Sequence, residues 1–173
     1  RVLFRSTGKF VGEVPESTGI MKLNILLVSD QVRGIDGTGG LGDVATGLAR
    51  ELASREDTAI RCIMPGYEQI SEKGHENRFD DVVLDDLVVP WGHGSRQLIV
   101  SRYHLPRFTE GEQPVICYLL RDREIFTRRE NSAAQAVLLA RATLAFVERL
   151  EEFRPDVLHC NDWHTGLIPV YCN

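Results

Sequence analysis

The sequence predicts an α/β fold: a Rossmann-like, parallel open sheet with helices on both faces. Three observations predict it. Apolar runs of strand length alternate with helical patterns at both ends of the chain. The first unit reads strand, loop, helix, strand, which makes its two strands parallel with a right-handed crossover. Two loops carrying unusual side chains, one rich in glycine and one containing "NDWH", fall at strand carboxyl ends, where open α/β sheets bind ligands.

Taken in order, "NILLVS" (Asn24 to Ser29) is a continuous apolar run of strand formers, suited to a strand covered on both faces. After the loop, Leu41, Val44, Ala45, Leu48, Ala49 and Leu52 recur at spacings of three and four, which predicts an amphipathic helix ending near Arg55. "AIRCIM" reads as the second strand, closed by the Pro65-Gly66 turn signal. "DVVLDDLVVPW" and "QLIVSRYHL" are expected to form a hairpin or meander across "GHGS", and "VICYLL" another buried strand. A long helix is expected from Ser132 to Phe153, ended by Pro155. "DVLHC" is the last strand, "NDWH" its following loop, and a further helix is expected to begin around Thr165.

Composition narrows the classes. The 173 residues are 43% hydrophobic and 26% charged, as in globular domains with a real core. A net charge of −5 argues against non-specific nucleic-acid binding, which needs a basic field. No apolar run approaches the roughly 20 residues that span a bilayer, so no membrane partner is expected. Cys62, Cys117, Cys160 and Cys172 are widely spaced without a C-x-x-C pair, which favours free thiols and a reducing, cytoplasmic setting. "MKLNILLVSD" from Met21 reads like a natural start. Residues 1–20 are expected to be a non-native or disordered leader; the first six match the translation of a common sequencing adapter. "LIPVYCN" stops inside an apolar pattern without a cap, so residues 21–173 are expected to be an incomplete domain.

The glycines of "DGTGGLGDV" fit G-x-G-x-x-G at Gly37, Gly39 and Gly42. A dinucleotide loop, however, needs its first glycine directly after the strand and an acid at the end of the second strand. Asp30 to Asp36 intervene here, and "MPGY" stands where the acid belongs. The oxidoreductase reading fails on both requirements. What remains is a long loop leading to small residues at a helix N-terminus, either an anion cradle or a flexible connection.

"NILLVSDQVRGIDGTGGLGDVATGLARELASR", "MPGY" and "RPDVLHCNDWHTGLIPVY" together resemble the bacterial glycogen synthases and plant starch synthases, in order and in spacing. The family's Lys-x-Gly-Gly-Leu-Gly-Asp-Val, its Pro-x-Tyr after strand two and its Asp-Trp-His segment correspond to these stretches. The resemblance implies the N-terminal half of a two-domain GT-B fold whose C-terminal domain is missing here. It implies glucose transfer, with retention, from ADP-glucose or UDP-glucose to an α-1,4-glucan, and neither metal nor cofactor. His164 would contact the donor sugar, and Thr38, Gly39, Gly40 and Asp43 would bind substrate. The family's lysine is Gly37 here, its nearby glutamate is Gln31 and its loop proline is Gly34. Either Arg33 replaces the lost cation, or the parent protein is a weakened or non-catalytic relative with a glucan-binding or regulatory role.

Beside these roles stand plainer ones. Asp162 is expected to cap the following helix. Trp163 is core or cleft wall. Asp43 hydrogen-bonds nucleotide or simply sits well in the first turn of a helix. His159 and Cys160 alternate to opposite faces of their strand, against a zinc site in "HCNDWH". "RDREIFTRRE" reads as a solvated charge run; the resemblance implies that the corresponding region lines the acceptor cleft.

Overall fold

The computed structural model describes residues 22–36, 39–68, 80–107, 110–130 and 132–172. The leader expected at 1–20 lies outside them. Six strands form one sheet: β1 (Leu23–Val28), β2 (Thr58–Pro65), β3 (Val82–Trp91), β4 (Gly94–His104), β5 (Ile116–Arg121) and β6 (Val157–Cys160), in the order β3-β4-β5-β2-β1-β6. The helices are α1 (Gly40–Ala53), α2 (Ala133–Arg149) and the single turn α3 (Ile168–Tyr171), with a 3-10 turn at Trp163–Thr165.

The strands β5, β2, β1 and β6 are mutually parallel, as expected. β3 and β4 extend the sheet on one side as an antiparallel meander into β5, so the sheet is mixed rather than wholly parallel. The connections are the reason: a two-residue turn joins β3 to β4, and a parallel crossover needs a dozen residues or more. Gly92 takes a φ of 57° as the first residue of that turn, the position at which a type II′ hairpin needs positive φ.

Ile25 to Val28 and Cys62 to Met64 are buried without alternation because the two central strands are covered on both faces. The crossovers β1-α1-β2 and β5-α2-β6 run in opposite directions along the sheet. Right-handed connections therefore place α1 and α2 on opposite faces. The order reverses between β1 and β6, which is the topological switch point where such sheets open a ligand crevice.

α1 departs from the expected face. Gly42, Ala45, Thr46 and Ala49 are buried, whereas Val44 is 61% exposed. The helix packs through a stripe of small residues that lets it sit close to the loop before it. Gly42 is part of that contact: a Cβ there would stand 3.3 Å from the Arg33 backbone nitrogen. α2 begins where expected, with Ser132 Oγ accepting from Gln135 N at 3.2 Å, but it ends at Arg149 rather than Phe153. Phe153 is buried all the same, from the turn that follows. All four cysteines are free; Cys62 and Cys117 are buried side by side as register partners of β2 and β5.

Candidate functional site

The carboxyl ends of β1, β2 and β6 meet at the switch point. β1 runs into Ser29-Asp30-Gln31, where Ser29 Oγ donates to Gln31 O at 2.8 Å and accepts from Asn161 Nδ2 at 3.3 Å. That clasp turns the chain and sends the Asp30 side chain into the protein, where it is 2% exposed. Tyr67, just beyond β2, donates its hydroxyl to Asp30 Oδ1 at 2.5 Å and packs edge-on against Phe126. Burial raises the Asp30 carboxyl above its ordinary value, against the lowering effects of the Tyr67 hydrogen bond and the His164 and Arg129 charges. Burial and the adjacent carboxylate likewise raise the Tyr67 phenol.

His164 follows β6. Asp162 takes a φ of 67° with ψ 172°, a region most non-glycine residues avoid, and its carboxylate accepts from Trp163 N at 2.7 Å. Thr165 N and its hydroxyl both return to Asp162 O, at 3.2 and 2.8 Å. This tight turn puts the His164 side chain, 6% exposed, with Nε2 3.9 Å from Asp30 Oδ2 and Nδ1 3.6 Å from Asp162 Oδ2. Trp163 is 53% exposed and lies over the imidazole with ring centroids 3.9 Å apart. Its exposure takes Trp163 out of the core. Asp162 caps as expected, although the element it caps is a 3-10 turn.

Residues 32–36, ahead of the glycines, form a compact turn. Val32 and Asp36 bridge, with Ile35 N and Asp36 N both donating to Val32 O at 3.1 Å and Gly34 at φ 94° between them. Gly37 and Thr38 lie outside the described residues. Gly39 is the N-cap of α1 and brings no side-chain acceptor to its first turn, and Gly39 and Gly40 are both exposed. Asp43, in that turn, accepts from Arg33 Nη1 at 2.7 Å with both side chains at least half exposed. The loop thus brings a guanidinium to the start of α1.

The structure gathers His164 and Asp30 at one point, with the α1 N-terminus on the loop leaving the same strand end. It also supplies residues that the sequence reading gave no role. Asp30, one position before Gln31, is a buried acid beside His164. Tyr67 was visible only as part of "MPGY". Arg129 Nη1 lies 3.7 Å from the buried Asp36 carboxylate, and with its amide turned to face it, Gln31 accepts from Arg129 Nε at 3.3 Å. The charge run carrying Arg129 is not simply solvated. Asp122 is buried, accepting from Glu124 N and Ile125 N at 2.9 and 2.6 Å and from Arg96 at 3.0 Å, and Phe126 is fully buried. Arg96 and Tyr67, the partners of Asp122 and Phe126 from outside the run, are distant in sequence, so local charge density did not reveal these anchors.

Among the described residues no group of three or more His, Cys, Asp or Glu side chains is arranged to hold a metal ion. No helix among them is long and apolar enough to cross a membrane.

Comparison with known proteins shows the family of the chain. The sequence model of the starch synthase catalytic domain matches residues 24–173. The glycogen synthase of Photobacterium profundum is 38% identical over 157 residues, covering 85% of this chain and 28% of that protein. Those of Moorella thermoacetica and Vibrio parahaemolyticus are 34% and 32% identical over 86% and 85% of this chain. The chain spans under a third of the length of each of these relatives, 29% of the latter two.

Proposed function

Because this chain belongs to the starch synthase catalytic domain family, we propose that it forms the N-terminal half of a GT-B glucosyltransferase. In this reading the parent protein moves glucose from a nucleotide sugar, ADP-glucose or UDP-glucose, to the non-reducing end of an α-1,4-glucan in glycogen synthesis. One observation carries it most: a histidine loop after β6 and the glycine-started helix that follows β1 flank the switch point of the sheet.

Each residue then has a physical task. The first-turn amides of α1 from Gly40 onward, with Thr38 and Gly39 preceding them in sequence, bind the donor phosphates, where the helix dipole favours negative charge. Asp43 hydrogen-bonds the nucleotide side and holds Arg33 in an exposed ion pair. His164 contacts the reacting glucose from a site shielded by Trp163. Water exclusion there strengthens every electrostatic contact to the charge that develops at the anomeric centre. The second domain, expected beyond this chain, supplies the remaining donor contacts, and cytoplasmic location goes with the glucan substrate.

The test is incorporation of glucose from each donor into glycogen by the complete parent protein. His164→Ala is expected to remove transfer while the fold persists, and undiminished transfer would sink the reading. Gly37→Lys is expected to tighten donor binding; unchanged affinity would assign the phosphate cation to another residue. A second reading, a non-catalytic glucan-binding homologue, rests on Gly37 alone. It predicts glycogen binding without turnover in the same assay.

A further inference from the structure

Three strand ends converge on the Asp30 carboxylate. Tyr67, after β2, fixes Oδ1 by its hydroxyl at 2.5 Å. The other oxygen, Oδ2, is closed off from solvent and accepts no hydrogen bond, yet His164 Nε2, after β6, stands 3.9 Å away. A buried acceptor without a donor is costly, and structures keep one where a partner is to be held there. Among the described residues, charged groups around the pair include Arg129, whose charge favours ionised Asp30, Asp36, whose charge opposes it, and Asp162, 3.6 Å from His164 Nδ1.

We propose that Asp30 is a positioning residue for His164: Tyr67 anchors one carboxylate oxygen, and the other holds the neutral imidazole in its Nε2–H form with the ring fixed under Trp163. An imidazole has one donor and one acceptor nitrogen when neutral, and the partner of one nitrogen decides what the other presents. Asp30 reaches Nε2 from inside the protein, whereas Asp162 approaches Nδ1 from a side chain 42% exposed. The buried partner, screened least, sets the proton. The consequence for glucose transfer rests on the reading of His164 given above, but the position of the proton does not.

Ring-nitrogen shifts of the ¹⁵N-histidine-labelled chain, recorded with the ring neutral and assigned with His164→Ala, test this without any substrate. The wild-type ring is expected to be protonated at Nε2. Asp30→Asn is expected to weaken that preference, and Asp162→Asn to leave it in place. A wild-type ring protonated at Nδ1 would overturn the proposal, as would a preference lost in Asp162→Asn but kept in a folded Asp30→Asn. If Asp30→Asn does not fold, Tyr67→Phe carries the test: it frees Oδ1, and unchanged ring shifts there overturn the proposal equally. Because no sugar is present, a parent protein that failed to transfer glucose would leave these results standing.

Discussion

Asp162 shows how one residue holds the histidine loop. Its φ of 67° stores backbone strain of roughly 1–3 kcal/mol, while its carboxylate caps the turn that carries His164. Asp162→Ala loses the cap and keeps the strain, so it is expected to cost about 1 kcal/mol in denaturant unfolding. Asp162→Gly loses the same cap but relieves the strain, and it should therefore be the more stable of the two. The reverse order would mean that the backbone at this position is not strained. Asp30 makes a prediction in pH. Its carboxyl is raised above 3.8, chiefly by burial, so the folded chain keeps this proton after the unfolded chain has released it. Stability from this group falls as pH rises from the ordinary value to the raised one, and is level beyond. Glu152 works in the opposite sense. The Tyr118 hydroxyl and Arg61 hold it below 4.5, so its contribution is present above that value and is lost as pH falls through its lowered pKa. Unfolding at a series of pH values should show the stability of Asp30→Asn, relative to wild type, climbing with pH and then reaching a plateau. A difference that stays flat across the acid range would contradict the burial of that carboxyl.

At the scale of elements, α1 is built to approach its own loop. The small residues Gly42, Ala45 and Ala49 set the distance, and Arg50 ties the far end to the β4–β5 connection through Glu112 at 2.6 Å and Pro106 O at 2.9 Å. Gly47 has no such task, since a Cβ there meets nothing within 4 Å. Gly47→Ala is expected to stabilise the chain by about 0.5–1 kcal/mol through backbone entropy, read as a raised melting temperature. A destabilisation would indicate a contact at that surface. α2 depends on its cap instead. Ser132→Ala removes the acceptor for Gln135 N and should cost about 1 kcal/mol. The Gln135 side chain also donates to Ile125 O and Arg128 O at 2.9 and 2.6 Å, so the same helix start braces the loop that carries Arg129. Loosening it is expected to speed amide exchange in residues 125–130 before the rest of the sheet.

For the molecule as a whole, the expectation is that this chain alone does not transfer glucose, because positioning of donor and acceptor together supplies much of the rate. Turnover from ADP-glucose or UDP-glucose that scales with this chain and disappears in His164→Ala would place a complete donor site within these residues. Local pattern was enough to read the four parallel strands, the start of α2 and the two loops at strand ends. Their signals, continuous apolar runs and a glycine cluster, are written within a few consecutive residues. The family resemblance was legible for the same reason, since its motifs are short and ordered. What only the tertiary structure decided is which side chains meet across strands far apart in sequence. Val44 turns outward because α1 docks through smaller neighbours, and Asp122 and Phe126 anchor a run that looks solvated. Asp30, Tyr67 and His164 converge because the sheet order reverses between β1 and β6. Burial and orientation there follow from the register of paired strands, a property of the folded sheet that no single stretch of the chain contains.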